Sequence, residues 1–216
     1  MNVLVVGANG QIGKHLVSSI QNSDKLKAKA MIRKEEQASY FKELGAETAV
    51  VDLEGSIDAI AKAAEGMDAV VFTAGSGPHT GKDKTMMIDL DGAVKTIKAA
   101  EQAGVKRFVM VSSFDTSREA ILEAPESFSP YVAAKHYADE WLKASDLDYT
   151  IVQPGMLTNE EGTGQVQAQV EVDRGEVPRQ DVADVITACL EDDSTIGKQF
   201  QLVGGSTSIR EAVQSL

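Results

Sequence analysis

Apolar, β-branched segments alternate with segments of helical periodicity along the 216 residues of the chain. Strands are predicted near residues 2–6, 27–32, 47–51, 68–73, 106–111, 148–153 and 198–203. Helices are predicted near residues 11–21, 35–44, 56–65, 83–103, 129–145, 180–191 and 207–214. The alternation is typical of a parallel sheet with helices on both faces, because each crossover between parallel strands needs a connecting segment of that length. We therefore expect an α/β fold: a doubly wound parallel sheet of about seven strands, in a single domain with a small C-terminal lobe.

A glycine motif lies between the first predicted strand and the first predicted helix. Gly7, Gly10 and Gly13 follow the apolar run directly, with the spacing Gly-x-x-Gly-x-x-Gly. Without side chains the backbone can turn tightly and approach a pyrophosphate, whose charge meets the helix N-terminus. The alternative is a glycine-rich turn without a ligand, but the strand–turn–helix context favours a Rossmann-type dinucleotide site. The residues predicted to contact the cofactor here are Gly7, Asn9, Gly10, Gln11, Ile12 and Gly13.

The end of the second predicted strand bears on which dinucleotide binds. An NAD site usually has an acidic residue there, which accepts from the ribose 2′-hydroxyl. This chain has Arg33 at that place, with Lys34 beside it. A guanidinium suits the planar recognition of a 2′-phosphate, so the sequence favours NADP over NAD. The alternative is a solvated basic turn.

Two further strand ends are predicted to complete the cofactor site. Asp52 follows the third strand and can accept from the adenine amino group, with Leu53 against the ring. Asp52 can also act as an acidic residue at a helix N-terminus, and the two roles are compatible. Small residues close the fourth strand and leave room for the adenosine ribose and the pyrophosphate: Thr73, Ala74 and Gly75.

A tyrosine and a lysine four residues apart form the candidate chemical site. Tyr131 and Lys135 share one face of a predicted helix. An ammonium beside a phenol favours the phenolate, so that Tyr131 can exchange a proton with a substrate oxygen while Lys135 binds the nicotinamide ribose. Ser113, at the end of the fifth strand, would orient that oxygen. Tyr-x-x-x-Lys alone is common by chance, but its position between Ser113 and the pair Pro154-Gly155 favours catalysis.

These motifs together resemble the short-chain dehydrogenases/reductases, in the atypical branch whose glycine motif follows the extended spacing and which includes NAD-dependent epimerase/dehydratase-like proteins. The resemblance covers nearly the full chain. The matching residues are Gly7, Gly10 and Gly13; Arg33; Asp52 and Leu53; residues 73–75; Ser112 and Ser113; Tyr131 and Lys135; residues 149–155; and residues 179–183. It implies that Ser113, Tyr131 and Lys135 are catalytic, that Tyr131 and Lys135 also contact the cofactor, and that Pro154 and Gly155 lie near the nicotinamide.

The chain departs from this family in two places. Asp89 stands where the family usually has an active-site asparagine that supports a bound water. A carboxylate can hold that water too, and it would also stabilise Lys135 as a cation, so Asp89 is counted with the catalytic residues. The second departure is length: 62 residues (216 − 154) follow Pro154, which leaves little room for a nucleotide-sugar pocket.

We therefore predict an NADP-dependent oxidoreductase that transfers a hydride to or from a small carbonyl or alcohol. The turn-rich segments 74–82 and 155–179 begin at strand ends and are expected to contact substrate, with ordinary surface loops as the alternative. Three other functions remain open. They are a sugar epimerase or dehydratase with retained cofactor, a non-catalytic NADP-binding redox sensor, and a reductase of flavins or quinones.

Charge and composition argue against several kinds of partner. The net charge is −12, from 21 basic and 33 acidic residues, which disfavours nucleic acid and anionic lipid. No apolar run approaches a membrane span, and the first residues enter a strand without the pattern of a signal peptide, so a cytoplasmic location is expected. Cys189 is the single cysteine and lies in a helical pattern, which favours a buried structural thiol. No metal site is predicted, and the chain is expected to be a monomer or a homodimer.

Overall fold

Eleven strands are found in the computed structural model, which describes residues 1–77 and 80–216. They are β1 (Asn2–Val6), β2 (Lys27–Ile32), β3 (Glu47–Val50), β4 (Ala69–Phe72), β5 (Arg107–Val111), β6 (Asp148–Pro154), β7 (Met156–Thr158), β8 (Gln165–Gln169), β9 (Glu176–Pro178), β10 (Lys198–Gly204) and β11 (Thr207–Ser208). Nine of them form the main sheet, in the order β11-β8-β10-β6-β5-β4-β1-β2-β3. The short strands β7 and β9 pair separately with each other.

The helices occupy both faces of this sheet. They are α1 (Gln11–Gln21), α2 (Ala38–Glu43), α3 (Ile57–Ala64), α4 (Lys82–Lys84), α5 (Asp91–Gln102), α6 (Arg118–Glu123), α7 (Ser129–Lys143), α8 (Arg179–Glu191) and α9 (Ile209–Gln214). Short 3₁₀ turns lie at Glu35–Gln37 and Asp193–Thr195. The long helix predicted at 83–103 is interrupted, since a π-helical turn at Thr85–Leu90 separates α4 from α5. Turns of this kind are frequent at functional sites.

The predicted doubly wound α/β fold is confirmed. The seven predicted strands are β1 to β6 and β10, and every pairing among them is parallel. Strands β8 and β11 add an antiparallel edge beyond β10, and the sequence reading missed them. In β8 the buried Val166 and Ala168 alternate with three exposed glutamines, so the period of two is present but the β-propensity is low.

Alternate residues of each central strand reach opposite layers of the core. In β1, Val3 and Val5 join the cluster that also holds α1 and α8, whereas Leu4 and Val6 join the cluster of α3 and α5. All four side chains are fully buried. Both faces of the sheet are therefore covered, and ligands can reach it only at its edges and strand ends. No helix within the two described ranges is long and apolar enough to cross a bilayer.

A buried arginine joins the first residue of β5 to the end of α8. Arg107 is 6% exposed and donates through Nη1 to the carbonyl of Asp148 and through Nη2 to the carbonyl of Cys189 and the hydroxyl of Thr195, each at 2.9 Å. Burial lowers the pKa of Arg107. Burial also raises the pKa of the Cys189 thiol to about 12, which keeps this sulfur protonated at neutral pH.

We expect Arg107→Met to lower the free energy of unfolding by about 3 kcal/mol, because two buried acceptors and one partly buried acceptor lose the donor that they share. Urea denaturation monitored by circular dichroism measures the change. Arg118→Met is the matched control, since among the described residues the Arg118 guanidinium donates only to the Tyr137 hydroxyl, at an exposed position, and its loss should change stability by less than about 0.5 kcal/mol. Equal losses in the two variants would contradict this role of Arg107.

Candidate functional site

The loop between β1 and α1 is held close to the end of β4. Gly7 has φ of +83°, and a Cβ at this residue would lie 2.6 Å from the nitrogen of Ala74. A Cβ at Gly13 would lie 2.7 Å from the carbonyl oxygen of Ala8. Both positions therefore require glycine. The N–H of Gly10 donates to the carbonyl of Gly7 at 2.9 Å and closes the turn.

The N-terminus of α1 carries no competing acceptor. Gly10 precedes the helix, no side chain of the described residues caps it, and its first turn holds no acidic residue. The first N–H groups of a helix need partners and favour negative charge. Together with the tight glycine turn, this arrangement suits the pyrophosphate of a dinucleotide.

A cavity of about 250 Å³ opens at the carboxyl ends of β1 to β4. Eight of the residues predicted to contact the cofactor line it together: Gly7, Asn9, Gly10, Arg33, Asp52, Leu53, Ala74 and Gly75. The other lining residues were not predicted: Met31, Ile32, Gln37, Val51, Glu54 and Ile88. Of the predicted segment 74–82, Ala74 and Gly75 contribute here, and residues 78–79 lie outside the described residues.

Four predicted cofactor residues support the loop and do not line this cavity. Ile12 and Gly13 are buried under the first turn of α1, and Gln11 is exposed at its start. The Thr73 hydroxyl donates to the carbonyl of Val6 at 3.0 Å, which holds the end of β4 against β1. Their contacts with a cofactor remain predictions.

Arg33 lies in this cavity beside a glutamine that sequence reasoning missed. The Gln37 Oε1 accepts from the backbone N–H of Arg33 at 3.0 Å and of Lys34 at 3.1 Å. These two bonds fix the orientation of the Gln37 amide. Its NH₂ group has no acceptor among the described residues, and the exposed Arg33 guanidinium has none there either. Lys34 does not line the cavity. The signal for Gln37 was its place three residues after Lys34, where a glutamine reaches back to the first N–H of a helical turn.

An ion pair borders the opposite side of the cavity. Lys84 Nζ donates to both carboxylate oxygens of Glu54, at 2.7 and 2.8 Å. This hydrogen bond raises the pKa of Lys84. The pair connects the segment after β3 to the residues before the π-helical turn.

A second cavity, of about 420 Å³, opens beyond the ends of β5 and β6. Three predicted residues line it: Ser113 after β5, and Pro154 and Gly155 at the end of β6. The predicted segment 155–179 also contributes Met156 and Arg174. Seven of the remaining lining residues come from the stretch between β5 and α7, which sequence reasoning did not assign: Phe114, Asp115, Ala120, Glu123, Ala124, Pro125 and Phe128. The last one, Val132, lies on α7.

Tyr131 and Lys135 lie on α7 beside this cavity, at different depths. Tyr131 is half-buried, and its ring centroid is 5.1 Å from that of Phe128, which lines the cavity. Lys135 is 3% exposed and its Nζ donates to the carbonyl of Val111 at 2.9 Å. An ammonium carries three protons, so two of the Lys135 protons have no acceptor among the described residues.

Asp89 does not form the direct ion pair with Lys135 that a stabilising carboxylate would make. It is fully buried in the π-helical turn, and its Oδ2 accepts from the N–H of Ser76 at 3.1 Å. Its Oδ1 has no partner within the described part of the chain. Asp89 therefore anchors the segment after β4 through its bond to Ser76, whereas Lys135 Nζ donates to the carbonyl of Val111.

A buried polar network behind Ser113 was not predicted. Asp139 Oδ2 accepts from the hydroxyls of Ser112 at 2.6 Å and of Thr116 at 2.8 Å. Thr116 in turn accepts from the Gln153 amide at 2.8 Å. The network ties the loop that carries Ser113 to α7 and β6. Asp139 follows Lys135 by four residues on the same helix, so the i, i+4 spacing was the available signal.

Asp139 should make the stability of the protein pH-dependent. Burial raises the pKa of this carboxyl, so the folded protein keeps the proton above the pH of about 4 at which the unfolded chain loses it. Because the native state then binds more protons, this contribution to the free energy of unfolding is lost as pH rises above about 4. We expect the stability of Asp139→Asn relative to the wild type to increase between pH 4 and pH 7, as measured by chemical denaturation.

The matched control is Asp146→Asn, at an exposed position near the end of the same helix. Its stability relative to the wild type should change little over the same range. A difference for Asp139→Asn that is independent of pH would contradict the prediction.

Comparison with known proteins identifies relatives along the whole chain. The family model described as NAD(P)H-binding matches residues 7–193. The chain is 50% identical to the uncharacterised sugar epimerase YhfK of Bacillus subtilis, over 100% of both chains. It is similar to a solved structure from Bacillus halodurans, provisionally named an NAD-dependent epimerase/dehydratase, with a TM-score of 0.94, 46% identity and 100% coverage of both chains. It is also similar to the oxidoreductase YlbE of Lactococcus lactis, with a TM-score of 0.90, 36% identity, and coverage of 100% of this chain and 96% of that one.

Proposed function

The chain belongs to the NAD(P)H-binding family, among oxidoreductase-like and epimerase-like proteins, and from that premise we propose that it is an NADP-dependent oxidoreductase acting on a small carbonyl or alcohol. The observation that carries the proposal is the presence of two cavities at the carboxyl ends of one set of parallel strands. The first, with the glycine loop, suits the adenosine half of a dinucleotide. The second, beside Ser113 and Pro154-Gly155, suits the substrate. Ligands of doubly wound sheets bind at this edge.

The choice of NADP over NAD rests on two donors in the first cavity. The Arg33 guanidinium and the Gln37 amide both have donors without acceptors among the described residues. The end of β2 carries Arg33 in place of the acidic residue that accepts from the ribose 2′-hydroxyl in NAD sites, and the acidic residues of this cavity, Asp52 and Glu54, follow β3. A 2′-phosphate supplies the acceptors that the Arg33 guanidinium and the Gln37 amide lack.

We expect Arg33→Ala to weaken NADPH binding about 30-fold and to leave NADH binding nearly unchanged, because only NADPH carries the 2′-phosphate. Titration followed by nicotinamide fluorescence measures both dissociation constants. Lys34→Ala is the matched control, since it removes the same charge one residue away, outside the cavity. Equal weakening by the two variants would reduce the effect to general electrostatics, and a wild type that binds neither nucleotide would overturn the proposal.

Chemistry is assigned to Tyr131 with Ser113 and Lys135. When bound, the reduced cofactor supplies the hydride that a carbonyl carbon accepts. Tyr131 donates its phenolic proton to the carbonyl oxygen, so the C=O π bond is replaced by one C–H and one O–H bond, and solvent restores the proton. The Ser113 hydroxyl donates to the same oxygen and orients it. Lys135, one helical turn further along α7, has donors without acceptors among the described residues and is assigned to bind the nicotinamide ribose.

We expect Tyr131→Phe to reduce kcat/KM for carbonyl reduction by about 100-fold or more while the affinity for NADPH is retained. Steady-state rates of NADPH oxidation and the fluorescence titration measure the two quantities. Tyr137→Phe is the matched control on the same helix, because the exposed Tyr137 hydroxyl accepts from Arg118 and contacts no other polar group in the part of the chain that the structure describes. Full activity of Tyr131→Phe would favour the flavin or quinone route, in which the tyrosine is not needed.

The sugar-epimerase alternative is favoured by the names of two relatives, the sugar epimerase of Bacillus subtilis and the epimerase/dehydratase of Bacillus halodurans. The second cavity argues against an epimerase, because most of its lining side chains are apolar, whereas a sugar needs many hydrogen-bonding partners. An epimerase regenerates its cofactor within each cycle and keeps it bound. Recovery of the purified protein with stoichiometric dinucleotide would therefore favour the epimerase, and recovery without it favours the reductase.

A further inference from the structure

The second cavity combines an apolar wall with a single basic residue. Its apolar side chains include Phe114, Pro125, Phe128, Val132 and Met156. Phe128 is 49% exposed and Met156 is 67% exposed, so the rim presents apolar surface to solvent. Exposed apolar surface around a concave site is typical of ligand-binding sites. Among the described residues that line the cavity, Arg174 is the only lysine or arginine.

The Arg174 guanidinium is positioned at the cavity by its contact with an aromatic ring. Its Cζ lies 5.4 Å from the ring centroid of Phe114, in a cation–π contact. Gln201, on β10, ties the two walls together: its Oε1 accepts from the N–H of Val172 at 2.9 Å, and its Nε2 donates to the carbonyl of Phe114 at 3.0 Å. The segment that carries Arg174 is thus attached to the loop that carries the ring.

The N–H groups of Arg174 have no hydrogen-bond acceptor in the described residues. The nearest carboxylate, Asp115, is 3.9 Å from Nη2, beyond hydrogen-bond distance, and its other oxygen accepts from the N–H of Ser117. The side chain is 78% exposed, so water satisfies its donors at present. Arg179 differs, since its Nη1 donates both to the carbonyl of Leu157 and to Asn159. Arg174 is therefore a positioned cation whose donors are open to a ligand.

The surrounding charge selects the kind of anion. Asp115 and Glu123 also line the cavity, and the chain as a whole carries a net charge of −12. A dianionic phosphate would meet more repulsion from these carboxylates than a singly charged group would. The planar fork of a guanidinium matches a carboxylate in bidentate geometry. A carboxylate is the anion that this combination favours.

We infer that the substrate is an apolar carbonyl compound that carries a carboxylate, and that Arg174 binds this carboxylate at the mouth of the second cavity. The inference rests on the proposed function and names its substrate class. The carbon skeleton packs against the aromatic and aliphatic wall, and the carbonyl group lies at the Ser113 end. Arg174 acts in binding and contributes nothing to proton or hydride transfer.

Four aldehydes of matched shape test the inference with the full chain and NADPH: 4-carboxybenzaldehyde, benzaldehyde, 4-formylphenyl phosphate and the cationic 4-formyl-N,N,N-trimethylanilinium. We expect the lowest KM for 4-carboxybenzaldehyde. Arg174→Gln should raise that KM about 20-fold, leave kcat unchanged, and leave KM for benzaldehyde unchanged. Arg210→Gln, at an exposed position outside the cavity, is the control for loss of one positive charge.

A lower KM for the phosphate or the cation, or equal effects of Arg174→Gln on the charged and neutral aldehydes, would overturn the inference. A binding readout separates it from the proposed function. Calorimetric titration with 4-(hydroxymethyl)benzoate in the presence of NADP⁺ should give binding to the wild type and to Arg210→Gln, and about 20-fold weaker binding to Arg174→Gln. If no aldehyde is reduced, the proposed function fails, and this titration alone then supports the inference or, when all three proteins bind alike or not at all, overturns it.

Discussion

The close approach of Gly7 to Ala74 is the constraint on which the cofactor side of the molecule depends. No side-chain atom fits between these two backbones, so the loop after β1 lies directly on the end of β4. The N-terminus of α1 is consequently brought to the edge of the sheet without an acidic cap. The same contact leaves the space beside Gly75 and Arg33 as a cavity. A methyl group at residue 7 would move the loop and with it the positive end of the helix, and the site would lose the N–H donors that suit a pyrophosphate.

The substrate side depends on buried polar contacts more than on close backbone packing. Lys135 and Asp139 lie on one face of α7, both almost fully buried, and each is bound to the segment at the end of β5. Burying polar groups is costly unless they are hydrogen-bonded, so these bonds restrict the loop that carries Ser113 to one arrangement. One buried carboxylate oxygen of Asp89 and one of Asp139 have no hydrogen-bond partner among the described residues. Preorganisation of this kind is what the reaction proposed for Tyr131 would require.

Much of the lining of the first cavity could be predicted from sequence, because its residues follow directly from strand ends. Gly7, Arg33 and Asp52 each come immediately after a recognisable apolar run, and the carboxyl ends of parallel strands meet at one edge. Gln37 was not predicted from the sequence, because its role depends on which two N–H groups its oxygen accepts from. Arg174 was not predicted either, because residues 155–179 show no clear period and Phe114, whose ring it contacts, is 60 positions away in the chain.

By itself, the sequence determined the parallel sheet, the position of the glycine turn and the pairing of Tyr131 with Lys135 on one helical face. These features are local, since they depend on the period of apolar residues and on spacings within a few turns. Only the tertiary structure decided that Lys135 bonds to Val111 and does not pair directly with Asp89, and that Arg174 stands over an aromatic ring at the second cavity. Those contacts join segments distant in sequence, and their geometry follows from how the sheet, helices and loops pack together, which no local pattern encodes.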